Sequence, residues 1–257
     1  MSAPSHSHVA PAPPLEWDGA VNARDLGGIG DGGHRVRAGR LYRMGRHEWV
    51  TEAGWDAAWA DGVRTVIDLR NASELGRRDT DPLVAPATLD RFRYVNLPTE
   101  DESDVEFRAL CGPYMSSPEH YRANLERWPE HFSAIARAVV EAPEGGVVVH
   151  CAAGRDRTGL VTALLLSAAG VPKEAISADY AVAVTAMNER YRNQATPHEV
   201  PRTDHELDAF LARAQGQLED LLDTLDARRF LLDAGLGEGE LAALIERLTG
   251  PAPTSDD

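Results

Sequence analysis

Hydrophobic and polar positions follow two rhythms along this 257-residue chain. Arg64–Leu69, Phe92–Leu97 and Val147–Val149 are short runs rich in β-branched or aromatic residues, with the length of strands. Elsewhere the apolar positions return at helical spacing. Thr51–Ala60 sets Trp55 and Trp59 one turn apart, and Pro118–Arg127 and Pro129–Val140 read as helices leading into the third strand. After that strand, Leu160, Val161, Ala163, Leu164, Leu165, Leu166 and Ala168 predict a helix that must lie deep in the fold. Gly170 and Pro172 end it. Lys173–Arg192, Asp204–Asp226, Ala227–Asp233 and Gly239–Leu248 continue helically, with a Pro-containing loop over 196–203. This order predicts an α/β domain: a central, mostly parallel sheet flanked by helices, with a helical C-terminal half.

Composition narrows the class. With 43% hydrophobic residues, the chain can bury one core of moderate size. No internal repeat or linker divides it, so a single domain is expected over 15–250, between loose tails at 1–14 and 251–257. The first tail lacks a basic start and an apolar centre, so it does not read as a signal peptide. No apolar run is long enough to span a bilayer. Two cysteines cannot build a disulfide framework, which favours a reducing compartment and, by default, the cytoplasm. Cys111 reads as a core or loop residue, with reversible pairing to Cys151 as the minor alternative. A net charge of −15 argues against nucleic acid and anionic membrane as general partners. Nothing in the sequence calls for a cofactor or sets the oligomeric state.

Candidate chemistry is concentrated in His150-Cys151-Ala152-Ala153-Gly154-Arg155-Asp156-Arg157-Thr158-Gly159, between the predicted strand and the buried helix. A short loop curling into a helix N-terminus aims backbone N–H groups at one point, which suits a phosphate dianion. The same partial positive charge favours the thiolate form of a cysteine at the loop's start. Cys151 is therefore the candidate nucleophile on phosphorus, forming a phosphocysteine that water hydrolyses. Arg157 offers a planar fork for two phosphoryl oxygens. Backbone N–H groups from Ala152, Ala153, Gly154 and Arg155 onward would line the cradle, and Gly154 permits the curl. The Thr158 hydroxyl can donate to the sulfur. Arg155 and Arg157 reverse the acidic charge locally, with Arg70 a further contributor; Arg77 and Arg78 read as a solvated face. No metal is expected: His150 would brace the loop backbone, and no second ligand is spaced in sequence to join it.

The loop resembles that of the cysteine-dependent protein tyrosine phosphatases, and more narrowly the bacterial and fungal triple-specificity, or atypical lipid phosphatase, branch with the loop HCxxGKDRTG. Asn22–Gly28 is similar to that branch's N-terminal signature, and Gly39–Arg43 and Val66–Arg70 to its next two strands. Two positions depart: Arg155 stands where lysine is usual, and Met44 where serine is common. The resemblance implies a tyrosine-phosphatase-like fold and a metal-independent phosphoric monoester hydrolase. Its substrate would be a phosphoprotein, a phosphoinositide or another phosphorylated small molecule. It also leaves export without a signal peptide open.

Leaving-group departure needs a proton, and hydrolysis of the phosphocysteine needs a base. The resemblance assigns both to Asp156, which could instead orient Arg157. Asp68, ending a predicted strand, could meet the substrate, act as acid, or tie down loop backbone. Asp101 is a third candidate, otherwise a solvated loop residue. Trp128-Pro129-Glu130 mimics a mobile acid loop but fits a helix start better. Segment 186–210 is either a lid over the cleft or simple bundle packing. Asn22–Gly28 brings Arg24 or Asp25 near the pocket or forms a structural turn. Two other readings of the anion loop are a phosphate-recognition module without turnover and a rhodanese-type sulfurtransferase.

Overall fold

The computed structural model describes residues 13–112 and 115–250, so the expected tails fall almost wholly outside the described residues. Five strands form one sheet: β1 (Arg24–Asp25), β2 (Leu41–Met44), β3 (Val63–Asp68), β4 (Arg93–Asn96) and β5 (Gly146–His150). Their order is β1-β2-β5-β3-β4. β1 runs antiparallel to β2, and every other pairing is parallel. The expected mostly parallel α/β sheet is therefore present, with an antiparallel edge contributed by the Asn22–Gly28 region.

β5 sits at the centre and is buried throughout. Its alternation divides the hydrophobic interior: Val147 and Val149 join one core, Val148 the other. The smaller core packs Trp55 and Ala58 of α1 (Glu52–Ala60) on the sheet with Tyr42, Met44, Val66 and Phe92. Thr51 starts α1 by accepting the Gly54 N–H at 3.2 Å. A register shift between Val63 and Thr65 lets Val63 and Val66, three residues apart, both serve this core. Met44, at the position where serine was expected, is completely buried there.

The larger core holds α4 (Tyr121–Arg127), α5 (Pro129–Val140) and α6 (Asp156–Ala168). α6 is buried almost all round because α7 (Lys173–Arg192) and α9 (Ala227–Asp233) cover it from outside. α8 (Asp204–Thr224) opens on a capping box of Thr203 and Glu206 and packs on α7, while α10 (Glu238–Thr249) closes against α5 and α9. Trp128 precedes the first turn of α5, with Pro129 at its start, as a helix entry requires.

Two short helices escape the sequence pattern: α2 (Pro86–Leu89) and α3 (Val105–Cys111). In α3 only Phe107 and Cys111 are buried, with Trp128; Val105 and Leu110 are 73% and 68% exposed, so its apolar residues do not share one face.

Candidate active site

The chain leaves the C-terminal end of β5 at His150, curls through Cys151–Arg155 and enters α6 at Asp156. The curl is held from outside by its carbonyls. Arg46 N–H donates to Ala152 O at 3.0 Å. Asn22 Nδ2 donates to Ala153 O at 3.3 Å and Gly154 O at 2.9 Å. Arg43 Nη2 donates to Gly154 O at 2.7 Å and Arg155 O at 3.2 Å. In a planar trans peptide N–H and C=O point opposite ways, so drawing four carbonyls outward turns the next N–H groups inward. Gly154 is required twice over: its φ is +67°, and a Cβ there would lie 2.2 Å from Met44 O.

These anchors rest on a buried charge cluster. Asp179 of α7 accepts from Arg24 Nε at 3.0 Å and from Arg43 Nη1. All three side chains are at most 5% exposed. Burial lowers the Arg24 pKa to about 10 against the opposing pull of Asp179. Arg24 is thus a structural support, and Asp25 ties the turn by accepting the Gly27 and Gly39 N–H groups, each at 2.8 Å.

Within the cleft, of about 1320 Å³, the loop contributes Cys151, Ala152, Ala153, Arg155, Asp156 and Arg157. Thr158 Oγ1 is buried and has no hydrogen-bond partner among the described residues. Arg157 is gripped by Glu74, with Nη2 at 2.6 Å from Oε1, and Glu100 stands 3.6 Å from Nη1. Burial opposes its charge, but the Glu74 hydrogen bonds and the neighbouring Cys151 and Glu100 outweigh it and keep the guanidinium protonated. Glu74 was not picked out by the sequence pattern; only its place three residues after Asn71, in a capping box, marks it.

Arg155 is only 2% exposed. Its Nε donates to Asp156 Oδ2 at 2.8 Å, and its Nη1 and Nη2 meet Glu199 at 3.1 and 2.8 Å. Asp156 Oδ1 accepts from Tyr180 at 3.0 Å, and its backbone oxygen accepts from Tyr121 at 2.8 Å. Gly159 makes this possible: a Cβ there would lie 2.7 Å from Tyr121 Oη and 2.9 Å from Tyr180. Thus Asp156 is oriented by Arg155 and not by Arg157. In segment 186–210, Met187 and Phe210 pack in the bundle, while residues from Arg190 to Glu199 form a cleft wall. Glu199→Gln should free Arg155 for an anionic substrate. The expected result is KM reduced about threefold to tenfold with kcat little changed, read from steady-state kinetics.

Asp68 lies elsewhere. It is wholly buried, accepts from Arg70 Nη2 at 2.7 Å and Tyr94 at 2.6 Å, and does not line the cleft. A substrate contact for Asp68 is therefore not what the structure shows; it stands beneath His150, 3.6 Å from Nε2. Burial raises a carboxyl pKa, but Arg70, His150 and Tyr94 override it and bring Asp68 to about 2. Asp101 is solvated and holds Ser103, as its loop reading has it. Arg70 is pinned to Asp68 and Glu48, Arg78 stands at the cleft rim, and Arg77 lines a different cavity.

His150 Nδ1 faces Cys151 O at 3.2 Å, and its Nε2 faces His47 Nδ1 at 3.2 Å. The sequence showed no ligand spaced to join His150, yet the fold gathers His47, Asp68 and His150 with ligand atoms within 4.8 Å. Arg70 already occupies this cluster as its cation, touching Asp68 and standing 3.4 Å from His47 Nδ1, which does not fit a metal ion. Burial, opposed by Asp68, lowers the His150 pKa to about 4, so the ring is neutral near pH 7. Above pH 6.5 it is neutral both folded and unfolded; as pH falls towards 4 the unfolded chain takes the proton first and stability is lost. The expected loss is up to about 3 kcal/mol across that window. His150→Asn should flatten this part of a denaturant-midpoint profile against pH, and should also narrow the Asp68 loss below pH 3.8, since His150 helps hold that carboxyl down.

The sequence profile of the tyrosine phosphatase family matches residues 15–250. A Cupriavidus necator protein assigned as a tyrosine-protein phosphatase is 35% identical over 69% of this chain and 66% of its own length. A tyrosine-protein phosphatase of Nostoc commune is 34% identical over 52% of this chain and 44% of its own. The triple specificity protein phosphatase PtpB of Mycobacterium tuberculosis is 27% identical over 91% of this chain and 97% of its own. The chain thus spans just under two thirds of the first of these relatives and less than half of the second.

Proposed function

The chain belongs to the tyrosine phosphatase family, and on that premise we propose that it hydrolyses phosphate monoesters through a phosphocysteine on Cys151. The observation that carries the reading is the loop itself: four outward-held carbonyls, Cys151 at its mouth, and Arg157 kept charged beside it. Phosphate enters against the inward N–H groups and the Arg157 fork. Sulfur attacks phosphorus, the ester oxygen departs with a proton, and water then releases phosphate and restores the thiolate. The unpartnered Thr158 hydroxyl donates to the sulfur as it leaves.

Asp156 is our assignment for the proton transfers. Both its oxygens accept hydrogen bonds, from Arg155 and Tyr180, so proton delivery requires one contact to loosen. Release of Arg155 towards an anionic substrate is the movement that frees Oδ2. Phosphotyrosine in proteins is the favoured substrate; phosphoserine, phosphothreonine and phosphoinositide follow the triple-specificity resemblance. No residue of the cleft requires a metal for this sequence of steps.

The test is hydrolysis of an aryl and an alkyl phosphate in EDTA, with rapid acid quench to trap labelled phosphate on the chain. Turnover of the aryl ester with a trapped phosphoenzyme is expected. Asp156→Asn should slow the alkyl ester about 10²-fold or more and the aryl ester less, because the poorer leaving group depends more on the acid. Phosphate binding without any turnover would favour a recognition module instead.

A further inference from the structure

Across the wall formed by His47 and Glu48 lies a second cavity, of about 540 Å³, that shares neither Cys151 nor Arg157. Its walls are Trp55, Val66, Val84, Leu89, Phe92 and Tyr94. Trp55 and Phe92 pack ring to ring at 4.9 Å, and the His47 ring stands edge-on to Tyr94 at 5.3 Å. The size and lining match a site for a small organic molecule. Leu83, between lining residues Pro82 and Val84, is 80% exposed, so apolar surface continues to the outside.

The number of cations separates the two cavities. The catalytic cleft gathers Arg46, Arg78, Arg155, Arg157 and Arg190 beside five carboxylates, and its inward loop N–H groups and the Arg157 fork converge on one point. The second cavity has the single Arg77 with Glu48 and Asp90, and no anion-binding loop, so it does not suit a phosphate. Two of its neutral lining groups have capacity to spare: the Trp55 indole N–H, buried without a hydrogen-bond partner among the described residues, and the His47 ring. Nδ1 of that ring is used towards His150, whereas Nε2 has no hydrogen-bond partner among the described residues. His47 Nδ1 stands 3.2 Å from His150 Nε2 and 3.4 Å from the Arg70 Nη2 donor, and its Nε2 is left as donor or acceptor according to the tautomer, either of which a hydroxyl can meet.

We propose that this cavity is a second binding site, for an uncharged aromatic molecule carrying one hydroxyl. The aromatic body fills the space between Trp55, Phe92 and Tyr94, and the hydroxyl meets His47 Nε2. The bound molecule thereby touches a ring that itself contacts His150, the residue preceding the nucleophile.

The probe is 2-naphthol, titrated by calorimetry into the full chain, with 2-naphthoate and naphthalene as comparisons. Saturable binding at one site is expected for 2-naphthol, with 2-naphthoate and naphthalene each about tenfold weaker or more. Val84→Trp, which fills the cavity, should weaken 2-naphthol by about tenfold or more. Leu89→Trp fills it from the opposite side and covers the case in which the first variant does not fold. The anomalous signal of 6-bromo-2-naphthol in a crystal locates the molecule without any variant. Absence of saturable binding, or a bromine position outside this cavity, overturns the proposal. Binding is read independently of turnover, so the result stands whatever happens to the phosphatase reading.

Discussion

Cys151→Ser is expected to lose about 10⁴-fold or more of aryl phosphate hydrolysis while inorganic phosphate still binds. Nothing that shapes the loop touches the sulfur: the curl is set by Asn22, Arg43 and the Arg46 N–H acting on backbone oxygens. An oxygen in place of sulfur therefore leaves the cradle standing. A serine hydroxyl is not ionised at neutral pH, and the nearby His150 ring is turned to the backbone and to His47, so no base is in place to activate it. The check is a pair of measurements on one preparation, hydrolysis in EDTA and phosphate binding by calorimetry. A serine variant retaining more than about a hundredth of the rate would remove Cys151 from the nucleophile's role.

The second large effect lies outside the cleft. Asp179→Asn should cost about 3–5 kcal/mol of folding stability, because two buried guanidiniums lose their shared counter-ion. For a domain of this size that lowers Tm by about 6–20 °C. Activity should fall with it even at low temperature, since Arg43 would no longer be held against Gly154 O. Adding Arg24→Met to the variant removes one uncompensated charge and should recover part of the stability in a thermal melt. An Asp179→Asn chain with unchanged Tm and turnover would show that the cluster does not hold the loop.

The contiguous parts of the site were readable from the chain: Cys151, Gly154, Asp156, Arg157 and Thr158 follow one another, and the strand before and helix after them carry clear hydrophobic patterns. What could not be read was partnership over distance. Glu74 is a capping residue in sequence and grips Arg157 in space; Glu199 sits in a loop and occupies Arg155. Neither pairing leaves a trace in composition or spacing. Asp68 is the instructive case. Its place at a strand end was anticipated, but it shares a strand face with Val66, which belongs to the smaller core. Cys151 packs with the larger core on the other face, so counting by twos from Val66 already directs Asp68 away from the nucleophile. The short helix α3 was missed for a plainer reason, since two of its apolar side chains face solvent.

The supports of the loop are far apart in the chain: Asn22 and Arg43 lie more than a hundred residues before it, and Asp179 comes after it. During synthesis on the ribosome, Cys151 emerges before the carboxylate that locks its scaffold. Until α7 has left the exit tunnel and docked, the nascent loop lacks the pull on its carbonyls, and with it the inward N–H groups that would stabilise a reactive sulfur. On the proposed role of Cys151, the order of emergence withholds the cradle from an unfinished chain, and the loop is complete only as the domain closes around it.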